Sequence, residues 1–370
     1  MKAFRCCCGQ PLFFENTRCL ACGAEVAFDP HDQRLDALAA AGDGTWTMAG
    51  ETRAPPPRFR FCEHRSHAAA CNWLVPAQGP HTACLSCRLT RTIPDLSRPK
   101  NAKRLAEIES AKRRVLFGLM ACGLPIVPMA DDDARGLAFD LLEPLPGSPP
   151  VVTGHASGLV TINVAEADDD YREMNRESFR EPYRTVIGHL RHELGHYYWD
   201  VLIRDGAWIE PFRRLFGDER PSYGDALARH YRDGPPADWP DRFVSGYAAS
   251  HPWEDWAETW AHYQHMRATL QTVASFGLAT ASAPFRITPF ESDVLFDPAA
   301  PSASSFLESV NAWVILTAVL NETSRSMGQP DVYPFVLNRS VVTKMHFIQC
   351  VMDSLAMAGV LSAPEGLAVV

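Results

Sequence analysis

Long apolar runs are missing from this 370-residue sequence. No segment approaches the ~18 consecutive apolar residues that span a bilayer. The opening MKAFRCCCGQ also lacks the apolar stretch of a secretion signal. A soluble cytoplasmic chain with no membrane partner is the expectation. Positive charge is in deficit as well: 35 Lys and Arg face 44 Asp and Glu, and the formal net charge of -9 disfavours a general nucleic-acid binder. The deficit is uneven. Residues 1–120 carry 17 Lys and Arg against 11 Asp and Glu, which leaves -15 for the remainder. Cysteine is scarce beyond residue 87, where only Cys122 and Cys350 remain of eleven, and both read as buried apolar residues. In a reducing compartment the nine that crowd the first 87 positions argue for metal ligation rather than disulfides.

The first cysteines stand in FRCCCGQPLFFENTRCLACG, where a Cys-x-Cys-Gly and a Cys-x-x-Cys-Gly flank a short turn-rich loop. A tight knuckle of this kind turns two thiolates toward one tetrahedral ion, and the following glycine supplies the open backbone angle. Cys6, Cys8, Cys19 and Cys22 form the expected set, with Cys7 in place of Cys6 as the alternative register. Cys62, Cys71, Cys84 and Cys87 form a second set whose first pair is widely spaced, so that His64, His67 or His81 could replace one sulfur. Four sulfurs are preferred. The expected organisation is a zinc ribbon over 1–30, an Ala/Gly-rich linker over 31–57 ending in APPPR, and a second ribbon over 58–98. A domain of mixed elements then runs over 99–370. Units as small as the ribbons need zinc for their folding energy. Each four-thiolate centre carries about -2, which reduces the basic excess of residues 1–120 to roughly +2 and weakens a nucleic-acid role.

RPKNAKRLAEIESAKRRVLFGLMACGLP has apolar residues at helical spacing until Gly123 and Pro125, and GLAFDLLEP and GLVTINVAEAD read as strands. Next comes VIGHLRHELGHYYWDVLI. His192 and His196 are one helical turn apart, so both imidazoles leave one face and can hold one ion, while Glu193 is angled toward a water that the ion activates. Chance produces many such patterns, but here the apolar and aromatic flanks bury the helix, where unpaired imidazoles and a carboxylate are costly. His189 reads as a supporting or plain core residue.

A hydrolytic zinc of this kind takes a third protein ligand and keeps one open position. Trp199 and Leu202 stand where a metzincin requires glycine and histidine, which excludes that class. The better source is GYAASHPWEDWAETWAHYQH, in which Glu254 and Glu258 lie one turn apart on a helix starting near Pro252. Glu254 is the expected ligand, and Glu258 the partner that fixes the tautomer of a ligand histidine. Solvated helix charges are the plainer alternative, disfavoured by Trp253, Trp256 and Trp260 around them.

HExxH followed by a distant Glu-x-x-x-Glu helix resembles the gluzincins, in particular the lethal-factor type. There a tyrosine seven residues before the ligand glutamate steadies the oxyanion, and Tyr247 holds that place. From the first cysteine to about residue 265, the order of CGQPLFFEN, CNWLV, TIPDLS, GLVTINVAEADD, RHELGHYYWD and PWEDWAETWAHY is similar to a bacterial family of zinc-ribbon, zinc-binding metallopeptidases. The resemblance implies a reaction class: peptide-bond hydrolysis on a protein or peptide substrate.

The expected fold class is α+β: a mainly helical, zincin-like domain with a small sheet, preceded by the ribbons and closed by two amphipathic helices beyond residue 280. Three zinc ions per chain are expected, one catalytic and two structural. The strand GLVTINV could pair with an extended substrate. Two other readings stand beside hydrolysis: a ribbon scaffold that binds a protein partner without cutting it, which an intact Glu193 opposes, and a nucleic-acid-associated factor, which the acidic total opposes.

Overall fold

The computed structural model describes residues 2–179, 181–279 and 287–357. It is α+β, and its chain divides into two compact units. The first comprises Met1–Ala121, Pro125–Asn175 and Thr185–Ile187; the second comprises Cys122–Leu124, Arg176–Arg184 and Gly188–Val370.

The first unit begins with a minimal hairpin, β1 (Phe4–Arg5) and β2 (Pro11–Leu12), at the first knuckle. Five antiparallel strands follow in sequential order: β3 (Val26–Asp29), β4 (Arg34–Ala40), β5 (Trp46–Met48), β6 (Phe59–Phe61) and β7 (Leu74–Pro76). The segment 31–57 is therefore no linker, since it forms β4 and β5 of the five-stranded sheet that lies between the two cysteine clusters in the sequence. Its small residues are what strand packing uses. Leu35, Ala37 and Leu38 are buried, and Ala27, Leu38, Met48, Phe59 and Leu74 fill one core. A short helix, α1 (Leu85–Arg88), follows Cys84 and leads to β8 (Thr90–Thr92).

Next stands α2 (Asn101–Ala121), which buries Leu105, Ile108, Val115, Leu116 and Leu119, the residues whose spacing predicts it. Phe117 of α2 meets Phe4, Phe14 and Phe28 with ring centroids 5.4–6.3 Å apart. Through this aromatic cluster α2 packs on the ribbon residues, and both lie in the first compact unit. A second sheet has the order β10-β11-β9-β8, built with β9 (Ala138–Leu142), β10 (Gly154–Ala156) and β11 (Leu159–Asn163). β11 runs parallel to β9 on one side and antiparallel to β10 on the other. Both its edges are occupied, which corrects the expectation that this strand pairs with substrate. β10 comes from the loop that the sequence presents as Pro/Gly-rich. α3 (Asp169–Phe179) then leads out of the unit.

The second unit is built on α4 (Val186–Leu202), α5 (Ile209–Phe216), α6 (Tyr223–Asp233), α7 (Trp239–Arg242), α8 (Pro252–Ser275), α9 (Ala303–Ser326) and α10 (Arg339–Met357). Trp256, Trp260, Tyr198, Tyr263, Phe212, Phe306 and Phe347 are its largest fully buried side chains among the described residues. α9 is long and apolar enough to cross a membrane by length and composition, with a mean hydropathy of 1.4 in its most apolar window. It does so by averaged composition, since Glu308, Ser309, Asn311 and Thr317 interrupt its apolar residues and leave no long consecutive run. A third of that window is buried, and Phe306, Val310, Trp313 and Thr317 recur at helical spacing on the packed face.

Candidate metal centres

Among the described residues, three groups of side chains are placed to hold a metal ion. The first is Cys6, Cys8, Cys19 and Cys22, with Cys6 Sγ 3.6 Å from Cys22 Sγ and Cys8 Sγ 3.7 Å from Cys19 Sγ. Tetrahedral zinc with bonds of about 2.3 Å sets its sulfurs about 3.8 Å apart, so the spacing fits. Gly9 and Gly23 take φ of 88° and 73°, the angles that let each knuckle close. Backbone N–H groups of Cys22 and Ala21 help bring the Cys19 thiol down to about 6, which favours the thiolate a metal needs. Cys7 is exposed and outside the group, 3.9 Å from Cys6 Sγ.

Cys62, Cys71, Cys84 and Cys87 make the second group, with Cys71 Sγ 3.5 Å from Cys84 Sγ. The Cys84 backbone N–H donates to Cys62 Sγ at 3.3 Å. His64, His67 and His81 lie outside it. All four of these cysteines are buried, whereas Cys8 and Cys22 of the first group are exposed.

The third group is His192, His196 and Glu254. The helical turn between His192 and His196 on α4 sets their ring centroids 4.9 Å apart. Glu254 enters from the first turn of α8. Two features bring it there. Gly195 lets α8 approach closely, since a Cβ at that position would stand 2.9 Å from the Ala257 Cα. His251 caps α8, its Nδ1 accepting the Trp253 N–H at 3.1 Å. Glu254 Oε2 then lies 2.9 Å from His192 Nε2, and Oε1 lies 3.4 Å from His196 Nε2. Trp253 packs on His196 with centroids 4.0 Å apart.

The electrostatics call for a cation. Burial opposes charge on His192, yet Glu254 and Glu258 outweigh it and hold the imidazole well above the ordinary histidine range. The Glu254 carboxyl is likewise held well below its usual range: burial opposes this, and His196 and His192 prevail. Its Oε2 is buried and faces His192 Nε2. Two imidazole nitrogens and this oxygen are the donor set of a zinc site with an open position.

Supporting groups surround it. His192 Nδ1 stands 2.8 Å from Glu258 Oε1, and because a carboxylate only accepts, that nitrogen carries the proton and Nε2 faces Glu254. Ser245 donates to Glu258 Oε2 at 2.6 Å and accepts the Ala248 N–H at 3.1 Å. Glu193 is buried, and burial raises its carboxyl against the pull of His192 and His196. Tyr247 lies with its ring 6.0 Å from that of His192, and burial first, then Glu254, keeps its phenol protonated. Asp255 points elsewhere, to Lys344 at 2.7 Å. His262 is buried, pushed down to about 4 by burial, and its Nδ1 meets the Tyr333 hydroxyl at 2.7 Å; half-buried His265 meets Arg191.

Three participants escape sequence reasoning. Gly195 sits inside the motif but reads there as a spacer. Ser245 lies two residues before Tyr247 with nothing to mark it. Tyr223 donates to Glu254 Oε1 at 2.6 Å from a separate helix, and no spacing rule reaches it.

Residues 101–351 match the model of the family described as "Putative zinc-binding metallo-peptidase", and residues 3–98 match that of a zinc-ribbon domain. Uncharacterized proteins of Mycobacterium bovis and Mycobacterium tuberculosis are 42% identical over 358 residues, covering 96% of this chain and 96% of each relative. No solved structure matches. With such a match over most of its length, the chain belongs to the family described in those words, and its N-terminal part to the zinc-ribbon domain family.

Proposed function

We propose that the chain hydrolyses peptide bonds in a protein or peptide substrate, with one zinc held by His192, His196 and Glu254 and Glu193 as general base. The observation that carries this reading is the approach of Glu254 to both imidazoles while Glu258 takes the far nitrogen of His192. Bound zinc supplies Lewis acidity, polarising a carbonyl and lowering the pKa of water to about 7.

The chain supplies the rest. Glu193 takes a proton from the attacking water and delivers it to the leaving amine, a task suited to a carboxyl that burial has raised. Glu258 keeps His192 in one tautomer, and Ser245 anchors Glu258. Tyr247, protonated beside His192, directs a hydroxyl at the developing oxyanion. The two four-cysteine groups hold structural zinc and offer a surface for a protein partner, and the thiol-rich chain is suited to the reducing cytoplasm. A scaffold that only binds has no use for a buried Glu193 beside the metal ligands.

The test is cleavage mapping on a proteome-derived peptide library with wild type and Glu193→Gln. New termini should form with wild type and vanish with the variant at unchanged zinc content. Equal cleavage by both proteins, or none by wild type carrying its full zinc, counts against hydrolysis.

A further inference from the structure

The two oxygens of Glu254 are not equivalent. Oε1 accepts the Tyr223 hydroxyl at 2.6 Å and lies 3.4 Å from His196 Nε2, whereas Oε2 has no hydroxyl donor and faces His192 Nε2 at 2.9 Å. Tyr223, 36% exposed, is held on its inner side by contacts with the start of α8. It opens α6, where Ser222 caps the helix by accepting the Asp225 N–H at 3.3 Å. Its ring meets His251 and Trp253 edge-on, with centroids 5.3 and 5.5 Å away. Those two residues start α8, the helix that carries Glu254, and Trp253 in turn packs on His196. Both ends of the phenol are therefore tied to the element that presents the carboxylate.

We propose that Tyr223 is a positioning residue which engages Oε1 of Glu254 and leaves Oε2 as the single oxygen offered to the metal. The inference rests on Glu254 being the third ligand. A phenol hydrogen bond takes electron density from Oε1 and favours binding through Oε2, so the phenol biases the carboxylate toward one ligand atom and helps preserve the open position that a hydrolytic centre needs. Without the phenol, both oxygens are free to bind.

The experiment measures metal rather than turnover, on the full chain with the cysteine sites kept zinc-loaded. Zinc affinity of the nitrogen/oxygen site is read by chelator competition for wild type, Tyr223→Phe, Glu254→Ala and the double variant. The same site refilled with Co2+ reports coordination through its d–d absorption. Tyr223→Phe should weaken zinc by roughly 10-fold, as loss of an outer partner does, and should lower the cobalt band intensity as coordination number rises. In the Glu254→Ala background it should cost nothing further. Unchanged affinity and spectrum for Tyr223→Phe, or an equal loss in both backgrounds, overturns the role of Tyr223 while leaving Glu254 a ligand. If Glu254→Ala itself leaves affinity unchanged, the ligand assignment fails, and the inference with it.

Discussion

Gly195 and Ala257 set the separation of the two helices that carry the His192, His196 and Glu254 group. A Cβ at 195 would lie 2.9 Å from the Ala257 Cα and 3.2 Å from its carbonyl oxygen, and both are backbone atoms that cannot rotate away. Trp256 adds a hydrogen bond from Nε1 to the Gly195 carbonyl at 2.8 Å. The glycine of HELGH is thus where α8 crosses α4 closely enough to deliver Glu254. Gly195→Ala gains about 1 kcal/mol of helix propensity but meets overpacking of about 1–3 kcal/mol. Its denaturation midpoint should fall and its nitrogen/oxygen zinc should weaken. A stabilised variant with full zinc would show that the crossing tolerates a methyl group.

Neighbouring carboxylates on α8 should separate cleanly. Asp255 is fully buried against Lys344, so Asp255→Ala strands a buried ammonium and should destabilise the fold by about 3–5 kcal/mol. The folded fraction should keep its zinc. Glu254→Ala should behave in the opposite way, stripping the nitrogen/oxygen metal with a smaller change in denaturation midpoint. Calorimetry and metal analysis on the two variants decide the matter, and an Asp255 variant that loses this zinc would rotate the assigned face of the helix.

Thiol chemistry should follow exposure. Cys7 is exposed, as are Cys8 and Cys22 of the first cysteine group, whereas Cys62, Cys71, Cys84 and Cys87 are buried. A mercurial or disulfide reagent should release one zinc ahead of the other thiolate-bound ion. Cys350, whose thiol burial pushes up to about 12, should resist alkylation at pH 8, because only about one part in 10⁴ is thiolate. Mass mapping of the modified cysteines over time checks both statements, and simultaneous loss of both ions contradicts the first.

Tyr247→Phe isolates one hydroxyl. Loss of a single oxyanion donor typically costs about 10²–10³ in kcat, so the variant should keep zinc and fold and lose that much turnover on a substrate found by cleavage mapping. Unchanged kcat, or loss of zinc instead, would return Tyr247 to a packing role against its aromatic neighbours.

How much of this was readable depended on sequence separation. The spacing within His192-x-x-x-His196 and within Glu254-x-x-x-Glu258 is helical arithmetic, and α4 and α8 carry both pairs as that arithmetic requires. Knuckle spacing likewise brings Cys6 and Cys8 to Cys19 and Cys22. The strands of 34–48 were hidden because alanine and glycine read as flexible until partner strands cover them. The occupied edge of β11 was hidden because its partner, β10, is a three-residue strand inside a loop rich in proline and glycine. Tyr223 and Ser245 act across separations of 31 and 13 residues, set by helix packing that no local pattern encodes.

The central claim is a single zinc centre in the second unit, built from α4 and α8 and distinct from two thiolate sites. Zinc content per chain, measured on purified wild type and on the His192→Ala/His196→Ala double variant, tests it most directly. The account predicts three zinc ions in the wild type and two in the variant. Two in both proteins would contradict it.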